Sequence, residues 1–279
     1  PPAPTFLILM FSFLKYIKDK SPKLNFFWFI LGSIYRFFII KLNINFYINQ
    51  KISKYGPFKM HCFFAFSNFK NWGSEEDSIF PLMMKKCKKK KCIIDIGAHV
   101  GLTTLPINSE VSNNSQIFSF EPGIKNNQYL RYHLNKNNIK NVVVINKLVG
   151  ENNSKNVPFY ESNQPTGMNS IVDFKKNFLI KKKKQVCLDT FVKKNKIKPD
   201  LIKIDVEGAE IFILRGAKNI LKEYKPDIFL SVHKKHFKLL GLNKNDLIKV
   251  IKEIGYKIKN SSGNFSVNLE KKEYYLYSI

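Results

Sequence analysis

Three carboxylates fall within six residues in Leu201-Ile202-Lys203-Ile204-Asp205-Val206-Glu207-Gly208-Ala209-Glu210, beside a glycine and directly after an apolar run. Carboxylates gathered at the end of a strand can take a proton from a hydroxyl or hold a divalent ion. Glu207 and Glu210 also fit a second reading, as acids that complement the dipole at a helix start. A different chemistry is suggested by Asp95-Ile96-Gly97-Ala98-His99-Val100-Gly101, which ends an apolar run and precedes Leu102-Thr103-Thr104. Glycines at such a turn let the backbone approach a ligand, and the following helix offers free N–H groups. A tight structural turn would look the same. With Thr103 as N-cap, Pro106 falls at N3, where its missing N–H costs nothing. Glu121 closes the next apolar run, 26 residues after Asp95, and is followed by Pro122. There an acid can accept hydrogen bonds from ribose hydroxyls, although alone it could equally cap a helix. Together, Asp95 and Glu121 outline a crevice for a nucleoside.

These residues need strand ends to stand on. CIIDI (92–96), QIFSF (116–120), VVVIN (142–146), LIKID (201–205) and DIFLSV (227–232) are short apolar runs bounded by turn residues, as expected for strands buried on both faces of a parallel sheet. Between them, residues 210–224 place Ile211, Leu214, Ala217 and Leu221 at helical spacing, and 244–254 do the same with Leu247, Val250, Ile251 and Ile254 before Gly255,. The alternation predicts a doubly wound α/β sheet. Tyr256–Ile258 and Glu273–Ser278 read as a hairpin around Asn260-Ser261-Ser262-Gly263-Asn264, closing the sheet with an antiparallel edge. The Asn-, Ser-, Gly- and Lys-rich insert at 150–185 is expected to be a loop that contacts substrate.

The 279 residues, 44% of them hydrophobic, can bury a core, which excludes a disordered chain and a disulfide-stapled miniprotein,. The formal charge of +26 draws the chain toward anionic surfaces,. Arg36, Arg131 and Arg215 are its three arginines, which counts against sequence-specific nucleic-acid binding. Cys62, Cys87, Cys92 and Cys187 form no C-x-x-C pair, so a reducing, cytoplasmic compartment is expected. His233-x-x-His236 lacks the acid of a metalloprotease motif. Residues 6–17 and 26–40 are the most apolar stretches, but Lys15, Lys18 and Arg36 keep both short of a membrane span,. Residues 1–74 are accordingly an N-terminal extension, whose apolar stretches either lie in a membrane interface, giving peripheral contact, or pack as helices on the main domain at 75–279.

DIGAHVGLTT, SFEP, CLDTF (187–191), DLIKIDVEGAEIFILRGA and a strand ending in His233, in that order, resemble the FkbM-type S-adenosylmethionine-dependent methyltransferases over about residues 75–260. The resemblance implies a class I methyltransferase fold, Rossmann-like, with a seven-stranded sheet whose last strand is antiparallel. It implies that Asp95, Gly97, Ala98 and Gly101 hold the methionine part of S-adenosylmethionine and that Glu121 holds the ribose. His99 stands where relatives usually carry Asn; its protonation would make cofactor binding pH-dependent. The expected reaction is methyl transfer to a hydroxyl of a sugar, glycan, lipid-linked saccharide or natural product. Asp205 is the first candidate for the catalytic face, with Glu207 and His233 behind it, and Asp205 and Glu207 could instead hold a divalent metal. Asp189 is expected to be structural, while Gly167, Asn169 and Ser170 are expected near substrate or cofactor. Three rivals keep parts of this pattern. An NAD enzyme would want glycine at position 99, an RNA methyltransferase would bind RNA with steep salt dependence, and a non-catalytic membrane-associated protein could retain the fold.

Overall fold

A computed structural model describes residues 17, 25–173, 177–265, 269–270 and 272–278. Most of the apolar stretch at 6–17 therefore lies outside the described residues. In chain order the elements are α1 (Asn25–Lys41), β1 (Tyr47–Ile52), β2 (Tyr55–His61), α2 (Phe80–Cys87), β3 (Cys92–Ile96), α3 (Thr104–Glu110), β4 (Gln116–Phe120), α4 (Ile124–Lys136), β5 (Val142–Ile145), β6 (Leu148–Gly150), β7 (Ser154–Glu161) and β8 (Leu179–Cys187). They continue with α5 (Leu188–Asn195), β9 (Leu201–Ile204), α6 (Glu210–Arg215), α7 (Lys218–Tyr224), β10 (Asp227–Ser231), α8 (Lys234–Leu239), α9 (Lys244–Glu253), β11 (Tyr256–Lys259) and β12 (Glu273–Ser278).

Seven strands form the central sheet in the order β11-β12-β10-β9-β3-β4-β5, and β12 alone runs against the rest. This is the Rossmann-like arrangement of the class I methyltransferases. The order reverses between β3 and β9, where such sheets open a crevice at their carboxyl ends. All five residues of β3 are buried because both faces are covered,. Ile94, Ile96, Ile202 and Ile204 face one layer, with Leu214, Leu221, Phe237 and Val250 from the later helices. Ile93, Ile117 and Leu201 face the other, where α2 contributes Met83 and Met84.

Three expectations are corrected. First, the antiparallel strand is not the edge. β12 inserts between β10 and β11, where its Tyr274 and Leu276 join one apolar layer and Tyr275 joins the other, whereas β11 exposes Lys257 to solvent, as suits an edge. Second, the expected helix over 210–224 is two. A Cβ on Gly216 would meet the Gly150 carbonyl oxygen at 2.2 Å, and the Gly216 carbonyl accepts the Asp189 N–H at 3.0 Å, so the chain breaks there to pack on the small sheet. Third, the insert at 150–185 is not all loop but carries strand at both ends. β7 and β8 pair antiparallel and β6 pairs with β8, while the described residues between Glu161 and Leu179 lie outside these strands.

Before residue 75, the β1–β2 hairpin packs its Phe46, Ile52, Phe58 and Met60 with Val100, Leu105 and Leu130. His133 ties it down, accepting the His61 N–H at Nε2 (3.0 Å), with Nδ1 at 2.8 Å from the Val100 carbonyl. Among the described residues, no helix is long and apolar enough to cross a membrane.

Candidate functional site

The glycine turn after β3 is held by main-chain geometry. Gly97 and Ala98 both donate their N–H groups to the Phe120 carbonyl at 3.0 Å, and Asp205 donates its N–H to Ile96. A Cβ on Gly97, whose φ is +80°, would come within 1.9 Å of the Asp205 carbonyl oxygen, so only glycine lets the turn pass beneath the end of β9. His99 has φ +52°, a left-handed conformation that His and Asn tolerate better than most residues. Its N–H donates to Glu121 Oε2 at 2.8 Å.

Glu121 is 4% exposed and lines a cavity of about 290 Å³ at the carboxyl ends of the strands. Gly123 N–H donates to its Oε1 at 2.8 Å, with Asn126 Nδ2 at 3.4 Å. Burial pushes the carboxyl up to about 7, against the pull of those donors and of Lys203,. Phe120, Leu148, Val149 and Phe159 supply apolar walls, and Gly167 and Asn169 from the insert also reach the cavity. Asn126 fastens that insert with reciprocal bonds to Thr166, Nδ2 to O at 2.8 Å and N to Oδ1 at 3.0 Å. Ser170 donates to the Glu207 carbonyl.

Not every expected cofactor residue reaches the cavity. Asp95 is fully buried, takes the Thr104 hydroxyl at 2.6 Å and pairs with Lys203 at 3.2 Å. It is an internal brace, because Lys203 also donates to the Gly97 carbonyl at 2.8 Å and stands 3.7 Å from Asp205. Ala98 and Gly101 are buried within the turn, their N–H groups spent on Phe120 and on the Ala98 carbonyl. Gly97, His99 and Glu121 do line the cavity. The cavity fits a nucleoside donor on two observations. Its polar end is a buried carboxylate held by main-chain donors, and His99 Nε2 is buried beside it with no partner among the described residues. His99 is driven down to about 4, mainly by burial with help from Lys203, so its imidazole is neutral near pH 7. Protonation of His99 is therefore not expected to control binding in this range.

At the other end, Asp205, Glu207 and His233 come together. Asp205 Oδ1 lies 3.9 Å and Glu207 Oε1 3.5 Å from His233 Nε2. His233 Nδ1 bonds Glu210 Oε1 at 2.7 Å, and its backbone N–H donates to the same oxygen at 3.1 Å. Glu207 Oε2 is 3.0 Å from His236 Nδ1. Burial works against the charged imidazole of His233, but Glu210, Asp205 and Glu207 outweigh it and raise the ring to about 9. Glu207 is pushed up to about 7 by burial, with Asp205 and Glu210 adding to the shift and His233 opposing it. For Asp205, Lys203 and His233 overcome burial and hold the carboxyl below its usual range.

The sequence left Glu210 open between a catalytic carboxylate and an acid at a helix start. It does start α6, but its side chain is wholly buried against His233 rather than facing solvent at a helix end. The signal was its spacing: Glu207 and Glu210, three residues apart, flank one imidazole that lies just past the next strand, β10. Among the described residues no group of three or more His, Cys, Asp or Glu is arranged to hold a metal ion; Asp205 and Glu207 converge on His233 instead. Asp189 is structural, accepting the Asn219 and Ile220 N–H groups at 3.1 and 2.9 Å to cap α7. A second cavity of about 210 Å³, with Ser78, Thr103, Lys203 and Glu273 in its wall, shares Trp72 and Asp205 with the first.

A family model described as the Methyltransferase FkbM domain matches residues 95–258. Among solved structures the chain is similar to a Methyltransferase FkbM from Methylobacillus flagellatus KT, at 21% identity over 68% of this chain and 43% of that one, with a TM-score of 0.44. It therefore spans less than half the length of that protein. It is also similar to the O-methyltransferase from Bacillus cereus in complex with SAH, at 12% identity over 72% of this chain and 79% of that one, with a TM-score of 0.40. A methyltransferase from Geobacter sulfurreducens is similar at 9% identity over 72% and 76% of the two chains, again with a TM-score of 0.40. No curated protein matches the sequence.

Proposed function

From the premise that the chain belongs to the FkbM methyltransferase family, we propose that it moves a methyl group from S-adenosylmethionine to a hydroxyl oxygen of a sugar, glycan or natural-product acceptor. The observation that carries the reading is Glu121, a buried carboxylate held by the His99 and Gly123 N–H groups at the wall of the cavity beyond β3 and β4. Glu121 would hold the ribose hydroxyls, the apolar walls would take the base, and His99 Nε2 would find its partner on the cofactor. S-adenosylmethionine supplies a methyl on a positively charged sulfur that departs as a neutral thioether.

The chain's own contribution is positioning and proton transfer. Asp205 belongs to the walls of both cavities, so donor and acceptor would meet beside it. Glu207, raised to about 7, is matched to accept the acceptor's hydroxyl proton near neutral pH, leaving the oxygen free to bond the methyl carbon. His233 is charged below about 9 and would orient Asp205 and Glu207 rather than serve as the base. The sequence reading put Asp205 first on this face, with Glu207 and His233 behind it; the charge on the His233 ring takes it out of the running as base. The cause is Glu210, which supplies a carboxylate to the Nδ1 side of the ring.

Calorimetric titration tests the cofactor reading. S-adenosylmethionine is expected to bind and NAD not to bind, while Glu121→Ala weakens S-adenosylmethionine at least about 100-fold, as expected when a buried ligand-binding carboxylate is removed. A folded parent that ignores S-adenosylmethionine would move the non-catalytic reading to the front.

A further inference from the structure

Helix α1 has two apolar faces that differ in what they touch. At about 100° per residue, Trp28, Gly32, Tyr35 and Ile39 form one stripe. It packs inward: Trp28 joins Ala65 and Phe66 in an apolar cluster, Tyr35 donates its hydroxyl to the Cys62 carbonyl at 2.8 Å, and Ile39 joins Phe46 and Phe63 in another cluster. Phe26, Phe27, Ile30, Ile34, Phe37 and Phe38 fall within about 120° on the opposite side. Each of these six is between 41% and 77% exposed. The inner stripe fixes the orientation of the helix, so the outer one is held away from the fold. A contiguous row of four phenylalanines and two isoleucines is too large to be scattered surface apolarity and needs an occupant.

The charge distribution selects that occupant. The first 74 residues hold ten lysines and arginines against the single acid Asp19, and Arg36 and Lys41 lie on the helix itself. Like charge opposes docking of a second copy on this face, whereas anionic headgroups complement it. Phenylalanine and isoleucine facing outward on a basic segment match a helix lying in the headgroup layer. We propose that α1 is a monotopic membrane anchor that lays its Phe26–Phe38 face into an anionic lipid surface. The proposal does not depend on the methyl acceptor or on the cofactor.

The test is flotation of the whole 279-residue chain with phosphatidylcholine vesicles, with and without phosphatidylglycerol, at low and high salt. A triple variant, Phe27→Ser with Phe37→Ser and Phe38→Ser, changes only exposed positions. Its circular dichroism and melting should match the parent. The parent is expected to float with phosphatidylglycerol vesicles and to release in salt, and the variant to partition roughly tenfold less or worse. A parent that stays with the unbound fraction, or a folded variant that floats equally well, would overturn the proposal. So would a parent that runs as an oligomer, fails to float, and becomes monomeric in the variant, since the face would then belong to a second copy.

Discussion

The cavity at the strand ends has Glu121 at one end and Glu207, with Glu210 behind it, at the other, and these carboxylates are held in opposite ways. At one end Glu121 is fixed by the main chain, through the N–H groups of His99 and Gly123. At the other, Glu207 and Glu210 are fixed by imidazoles, His236 on the first and His233 on the second. Main-chain donors carry no titrating proton, so the Glu121 end is a rigid cradle. Imidazole partners share protons with the acids they hold, so the His233 end can exchange one. Binding wants the first arrangement and proton transfer the second.

Lys203 is the place where this contrast can be broken outright, because it touches both ends, through the Gly97 carbonyl and Asp95 on one side and Asp205 on the other. Lys203→Met keeps the length of the side chain and leaves Asp95, with no exposed surface, facing an apolar group. The expected loss is about 3–5 kcal/mol of folding stability, read from urea unfolding. Adding Asp95→Asn to the variant should recover part of that loss. Stability within about 1 kcal/mol of the parent would mean that the two ends are not braced through this residue.

Glu210→Gln sharpens the contrast by altering one end alone. Glu210 touches neither cavity wall and acts through His233, as a positioning residue. Without its charge, the His233 ring should fall from about 9 toward its ordinary range. The sign follows from the roles proposed above. In the parent, the rate rises as Glu207 loses its proton near 7 and falls as His233 loses its own near 9. In the variant the falling limb should move down onto the rising limb, collapsing the plateau and lowering kcat about 100-fold, while the KM for S-adenosylmethionine stays near the parent value. An unchanged alkaline limb would show that Glu210 does not govern the His233 charge. Glu210→Asp should restore part of the plateau.

The same contrast explains what could be read before the fold was known. β3, β4, β9 and β10 are legible because strands covered on both faces must be continuous apolar runs, and Glu121 is legible because an acid closing such a strand has one side open. Asp95 has the same strand-end signature but turns inward to Lys203 and Thr104. No spacing rule separates an acid that faces a crevice from one that braces it. Glu210 and His236 depend on the approach of two segments, 205–210 and 233–236, through side-chain packing, which leaves little local trace. β7 and β8 were hidden because a lysine-rich run such as 181–184 reads as a solvated loop, whereas here Lys183 is pulled under by Glu161 at 3.0 Å. The break at Gly216 likewise answers to a distant backbone, that of Gly150.

His99 gives the smallest expected effect and separates the two ends on pH alone. The sequence makes it the natural source of pH-dependent cofactor binding, but burial drives its ring to about 4, so nothing on it titrates between pH 6 and 8. Glu121, raised to about 7, does titrate there. Its ionised form accepts from ribose hydroxyls at both oxygens, while its protonated form spends one oxygen as a donor. Affinity for S-adenosylmethionine should therefore weaken as pH falls through about 7 and stay level above it. His99→Asn tolerates the same left-handed backbone and keeps the N–H that holds Glu121. It should cost at most about tenfold in affinity, the value of one hydrogen bond, and leave the pH dependence in place. Glu121→Gln should flatten the curve. If His99→Asn flattened it instead, the imidazole and not Glu121 would be the titrating group at this end of the cavity.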